Sequence, residues 1–316
     1  MTVLESFERI VGLTAPLFLL VLLGFVLARW GRWPKAGADA LTHFVFSVAI
    51  PALLFRLMSD FSSLPPVDSR LLIAFFGGCL ILFVLGRFIA KRVFELDGVA
   101  QSVFALGGIF SNNVLLGVPL AKVTLGSASI PVVSLVLVFN SLLLWTLVTV
   151  SVEWARHRAM SWSGYLQSAK AVLRNPVVAS ILVGTLWGFV GVPLPPVIDE
   201  TLNLVGQAAV PLSLIALGMG LAEYGLREGW RISSAMTALK LLGQPLIVWL
   251  LARLLSLPPL ETQAIVLLAA LPVGANVYLM SRQFETLGGP VAASLVASTA
   301  LAALSVPLVL TLVVLR

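Results

Sequence analysis

Charge is scarce in this chain, and what there is avoids the apolar runs. Only 11% of the 316 residues are Asp, Glu, Lys or Arg while 59% are hydrophobic, whereas a soluble domain carries about a quarter charged residues. That excludes an aqueous enzyme and makes a bilayer the expected solvent. All 14 Asp and Glu residues fall at predicted loops or helix ends, so no mid-membrane carboxylate is available as a proton carrier. Cysteine is nearly missing too. Cys79 stands alone within the run 73–83, which excludes an internal disulfide and reads as a small core residue. The only histidines are His43, read as interfacial, and His157, read as solvated in a basic loop. No HExxH, CxxC, Walker A or GxSxG pattern occurs, so hydrolytic and nucleotide chemistry have no apparatus, and no metal or cofactor site is expected.

The net charge of +6 would suit a nucleic-acid partner only as a basic face on a soluble fold, and none is visible. The first apolar run is flanked by Glu5, Glu8 and Arg9 and has no small-residue cleavage site before Arg29. It reads as a retained helix rather than a signal peptide.

What the chain does have is apolar length. A bilayer core takes about 20 apolar residues per helix, and ten segments fit: 10–29, 39–58, 70–91, 99–121, 128–152, 175–192, 198–222, 232–255, 261–283 and 289–315. Alternate loops hold 13 and six Lys or Arg residues. The richer side is expected in the cytoplasm, which places both termini outside and the 153–174 connection inside. Trp30, Trp33, Trp154 and Trp162 fall at predicted cytoplasmic boundaries and read as interfacial anchors.

The 153–174 connection divides the segments five and five. Pro16 with Gly24 recurs as Pro176 with Gly184, and Ile50-Pro51 recurs as Val210-Pro211, all at an offset of 160. With five helices per half, the second copy enters from the opposite face, giving an inverted repeat. Chance matching in a biased composition is the competing account.

The fourth and ninth segments break their own pattern: Ser111-Asn112-Asn113 runs on to Gly117 and Pro119, and Pro272 is followed by Gly274, Asn276 and Tyr278. A Pro inside a helix removes a hydrogen bond and clashes with the preceding turn, a defect tolerated in lipid only where protein or a wet cavity covers it. Buried amides need partners or a ligand. Two half-helix N-termini meeting at mid-membrane suit a carboxylate. Asn112, Asn113, Gly117, Pro119, Pro272, Gly274, Asn276 and Tyr278 are therefore the candidate substrate-binding residues. Ordinary kinks with Asn as interhelical glue would be the structural alternative. Ser47 and Pro51, with Gln207 and Pro211, are expected on the opposite cavity wall, or else serve packing alone. Lys240 and Lys122 are the candidate membrane-embedded cations, Lys240 being the candidate charge contact to an anion.

The strings PLFLLVLLGFVLARWG, FVFSVAIPALLF, NNVLLGVPL, RNPVVASILVG, VGQAAVPLSLIALGMGL, LKLLGQPL and LPVGANVYLMSRQF, in that order and spacing, resemble the auxin efflux carrier family, which includes bacterial malate or malonate permeases. The resemblance implies an all-α integral membrane protein of ten helices in two inverted five-helix repeats, similar to bile acid:sodium symporters. It implies a scaffold domain (10–60 and 175–224), a transport domain (68–153 and 230–316) that moves in an elevator-like cycle, and a homodimer built through the scaffold. The fourth and ninth segments would cross, with Pro119 and Pro272 as the crossing prolines.

A potential of 100 mV, inside negative, is worth about 2.3 kcal/mol per charge, enough to drive export of an anion without a coupled ion. The reading is a carrier of small organic carboxylates, with export favoured. Sodium-coupled uptake is the alternative, sodium being the candidate coupling ion. A channel would need a continuous polar pore, and a non-transporting sensor or assembly subunit would tolerate loss of the Asn and Pro cluster.

Overall fold

A computed structural model describes residues 3–31, 33–60, 67–157, 176–223 and 229–314. Most of the 153–174 connection, including Trp162, lies outside the described residues. The structure is helical throughout, with one isolated bridge pair and no strand among the described residues.

Among the described residues, twelve α-helices follow in order. They are α1 Val3–Arg29, α2 Lys35–Ser59, α3 Arg70–Val93, α4 Gly98–Gly107, α5 Asn113–Thr124 and α6 Ile130–His157. After the connection come α7 Pro176–Val190, α8 Pro196–Leu221, α9 Trp230–Leu254, α10 Pro259–Ala270, α11 Ala275–Gln283 and α12 Gly288–Val314. Among the described residues, six of them (α1, α2, α3, α8, α9 and α12) are long and apolar enough to cross a membrane. The fourth and ninth expected segments are each split, into α4 with α5 and α10 with α11.

Local chemistry accounts for the ends and bends. Asp97 caps α4, its carboxylate accepting from the N–H groups of Val99 and Ala100 at 2.9 Å, and Lys91 and Arg92 close α3 where its dipole is negative. Three prolines, Pro51, Pro119 and Pro245, each follow a five-residue π turn: Val45–Ala49, Asn113–Gly117 and Leu239–Gly243. The N–H just before each proline bonds five residues back, Ile50 to Val45, Val118 to Asn113 and Gln244 to Leu239. The wider turn moves aside the carbonyl that the proline ring would strike, so each helix passes its proline without ending. Pro211 has no such turn and sits inside the continuous α8.

The outer faces are apolar. Ile73, Leu80, Ile81, Val84 and Phe88 on α3 and Leu301, Leu304, Leu308 and Leu312 on α12 are exposed, at the three- and four-residue spacing of one helix face. So broad an apolar exposure fits lipid contact. Trp30, Trp33 and Trp154 are exposed as interfacial anchors would be.

Inside, glycines let helices touch backbone to backbone. α1 packs on α8 where a Cβ on Gly24 would stand 2.1 Å from the Ile215 carbonyl oxygen, and one on Gly218 would stand 1.9 Å from that of Val21. α7 packs on α2 in the same manner, where a Cβ on Gly184 would stand 2.7 Å from the Phe55 carbonyl oxygen. Two ion pairs tie α2 to α8 and the residues after it: Lys35 with Glu223 at 2.9 Å, and Arg56 with Asp199 through paired contacts of 2.7 and 3.0 Å. α3 packs against α4 and α9, and α10 against α9 and α12.

Candidate functional site

The two breaks meet face to face. Ser111 and Val273 form an antiparallel bridge, in which the Asn112 N–H donates to the Pro272 carbonyl at 3.0 Å and the Gly274 N–H donates to that of Phe110 at 2.8 Å. Apolar helices interrupted by Asn, Gly and Pro leave main-chain groups unpaired, and each break supplies what the other lacks. A Cβ on Gly274 would stand 2.9 Å from the Ser111 carbonyl oxygen, so glycine is required here for close approach.

The half-helix ends divide by sign. The N-termini of α5 and α11 open together on a cavity of about 60 Å³ lined by Ser111, Asn112, Asn113, Asn140, Gly274 and Asn276. Its remaining walls include Phe46, Val177 and Val178. No lining residue is charged, so attraction for an anion comes from helix ends and amide N–H groups. The amides are poised for a partner: Nδ2 of Asn112, Nδ2 and Oδ1 of Asn113 and Oδ1 of Asn140 are buried with no hydrogen-bond partner among the described residues. Each side-chain amide offers two donors and an acceptor, enough to hold a carboxylate and its solvent.

The C-terminal ends of α4 and α10 are met by side chains of α9. Lys240, fully buried, donates from Nζ to the Ala269 carbonyl at 2.7 Å, one of the last carbonyls of α10. One turn along, Gln244 donates from Nε2 to the Ile109 carbonyl at 2.9 Å, just past α4. Gln244→Leu leaves that carbonyl without its donor and is expected to cost about 1–3 kcal/mol of stability, read by thermal unfolding in detergent. An unchanged midpoint would assign the carbonyl another partner.

Asn112, Asn113, Gly274 and Asn276 line the cavity as the sequence suggests, and Pro272 stands at the bridge. Pro119 does not. It lies about two turns into the run beyond the break, its ring accommodated by the π turn before it. Gly117 packs α5 on α10, its Cβ position 2.8 Å from Leu271 Cδ1. Tyr278 is further along α11, outside the lining. None of Ser47, Pro51, Gln207 and Pro211 lines the cavity. Ser47 donates to the His43 carbonyl of its own helix at 2.5 Å, and Gln207 is exposed. Lys240 is not in the lining either, being engaged with α10.

Asn140 escaped the sequence reading. Its signal was the one that marked Asn112 and Asn276, an amide in an apolar run, without a neighbouring Gly or Pro to draw attention to it.

Residues 9–310 match the family described as Membrane transport protein. A putative malonate transporter of Rhizobium meliloti is 25% identical over 283 residues, covering 87% of each chain. Auxin efflux carrier component 8 of Arabidopsis thaliana is 20% identical over 335 residues, covering 88% of this chain and 90% of its own. The uncharacterized transporter YfdV of Escherichia coli K12 is 25% identical, covering 87% and 88%. These relatives are transporters, not enzymes. With the match spanning nearly its whole length, this chain belongs to the Membrane transport protein family, the auxin efflux carrier family its sequence resembles.

Proposed function

We propose that the protein is a secondary transporter of a small organic carboxylate, working by elevator-like alternating access. One observation carries the reading: the cavity's polar groups all lie on one side of the expected domain division. Ser111, Asn112, Asn113, Asn140 and Asn276 fall in 68–153 and 230–316, while Phe46, Val177 and Val178 fall in 10–60 and 175–224. A ligand held by the first set can travel with it past a wall whose side chains are apolar and offer the ligand no hydrogen-bonding group. At about 60 Å³ the cavity has room for a few waters; a dicarboxylate requires the two sides to part. The malonate transporter among the relatives favours this class.

The inverted repeat of ten helices is supported by packing as well as by sequence. Gly24 meets Ile215 and Gly184 meets Phe55, and both partners shift by the same 160 positions, so one contact recurs in two copies. Both termini are placed outside, with the chain acting as a homodimer in the cell membrane. Net export follows the inside-negative potential, worth about 2.3 kcal/mol per charge at 100 mV.

Purified protein in liposomes, loaded with labelled malonate or related acids, tests the site. Asn112→Ala and Asn276→Ala are expected to lower apparent affinity about ten- to a hundredfold each, the worth of hydrogen bonds to a charged group. Flux indifferent to both substitutions would sink the assignment.

A further inference from the structure

We infer that the site takes a carboxylate monoanion that also carries a hydrogen-bond donor, such as a half-protonated dicarboxylic acid or a hydroxy acid, and that it rejects dianions. The inference rests on the proposed carrier function and narrows its substrate class.

The positive side of the cavity is worth about one charge. Neither half-helix caps itself: Asn112 makes no side-chain hydrogen bond to the first turn of α5, and Gly274 has no side chain to offer α11. First-turn N–H groups have no acceptor within their own helix, so here they are left for a ligand. Val114, Leu115, Ala275 and Asn276 of those turns all line the cavity. Two such ends, each about half a positive charge, match one carboxylate. No charged side chain lines the cavity among the described residues. Lys122 and Lys240 stand outside the lining, and Lys240 is engaged with the Ala269 carbonyl. A second ionised carboxylate would be desolvated there with no cation to meet it.

The acceptors set the second requirement. Asn113 is 3% exposed and Asn140 is 4% exposed, both line the cavity, and Oδ1 of each is buried without a partner among the described residues. An amide oxygen only accepts, so a bare carboxylate cannot satisfy it, whereas a protonated carboxyl, a hydroxyl or an amide can. A ligand without a donor leaves a buried acceptor unmatched and binds at that cost. Across the cavity the side chains of Phe46, Val177 and Val178 are apolar and give a second ionised group nothing to pair with. Asn140, carried by α6 rather than by either half-helix, is thereby a specificity-determining residue. It reads the ligand's donor while the crossing holds the carboxylate.

Three labelled ligands separate charge from donor in proteoliposomes. Malonate can lose its remaining proton, malonamate stays a monoanion with amide donors, and monomethyl malonate is a monoanion without a donor. At limiting concentration the ratio of malonate flux to malonamate flux should fall about tenfold per pH unit above the second ionisation of malonic acid. Titration of the protein itself, as at His43 three residues before Phe46, moves both fluxes alike and leaves the ratio untouched. Monomethyl malonate should cross about ten- to a hundredfold more slowly than malonamate. Asn140→Leu should bring those two within about threefold of each other, and Asn140→Ser, which keeps an acceptor, should preserve part of the preference. If Asn140→Leu cannot be purified, the wild-type comparisons decide alone. A malonate-to-malonamate ratio that holds constant or rises with pH overturns the inference. So does equal wild-type flux of malonamate and monomethyl malonate, or an undiminished preference in Asn140→Leu. Absence of flux for all three ligands defeats the carrier function as well, a different result from flux without preference.

Discussion

Gly274→Val should yield a chain that still inserts but transports about ten- to a hundredfold more slowly, the range that 1–3 kcal/mol of overpacking implies. The backbone of Gly274 is extended, φ −80° and ψ 146°, and any residue adopts that conformation. Space is the constraint. A Cβ meets the Ser111 carbonyl oxygen at 2.9 Å, the Phe110 ring at 3.0 Å and the Ser111 carbonyl carbon at 3.1 Å. Two of these are main-chain atoms that cannot rotate away. Relief comes only by parting the strands of the bridge, which stretches the 2.8 Å bond from Gly274 to Phe110 and the 3.0 Å bond from Asn112 to Pro272. Asn112 then leaves its place in the cavity. Gly274→Ala should show a smaller loss in the same direction, and wild-type flux in the valine variant would mean that the crossing is not the site.

The second large effect is on stability. Gly24→Ala and Gly184→Ala are each expected to cost about 1–3 kcal/mol, because the new methyl meets backbone carbonyls of Ile215 and Phe55 rather than flexible side chains. The two contacts share no residue, so the double variant should lose the sum. Tryptophan fluorescence during thermal unfolding in detergent measures all three. A neutral result at one glycine beside a large loss at the other would break the equivalence of the two halves.

How much of this could be read from residues alone depends on what kind of signal each feature leaves. Asn112, Asn113, Gly274 and Asn276 announced themselves because amides and glycine are conspicuous in apolar helices, and they do meet in space. The opposite wall differs in two ways: Val177 and Val178 come from α7 rather than from the α8 residues Gln207 and Pro211, and on α2 the difference is a small rotation. Phe46 lines the cavity and Ser47 does not, since each residue turns about 100° around a helix axis and segment-level reasoning does not fix the face. Pro119 misled for another reason: proline was equated with a break, whereas a π turn absorbs it. The role of Lys240 could not be read from its neighbours, because its partner Ala269 lies 29 positions away. A charge inside an apolar segment marks it in the sequence, and its hydrogen bond to α10 keeps it from being a ligand contact.

The wall of Phe46, Val177 and Val178 has one more implication. Dispersion contacts vary gently with sliding, unlike hydrogen bonds, which favour one register. On the elevator reading the apolar side chains of such a wall offer the ligand no detent. The resting positions must then be set at the two ends of travel, where the moving part meets the interfacial loops. Ligand preference and stopping point become separately adjustable, so relatives with the same polar cradle are free to differ in which face of the membrane they rest toward.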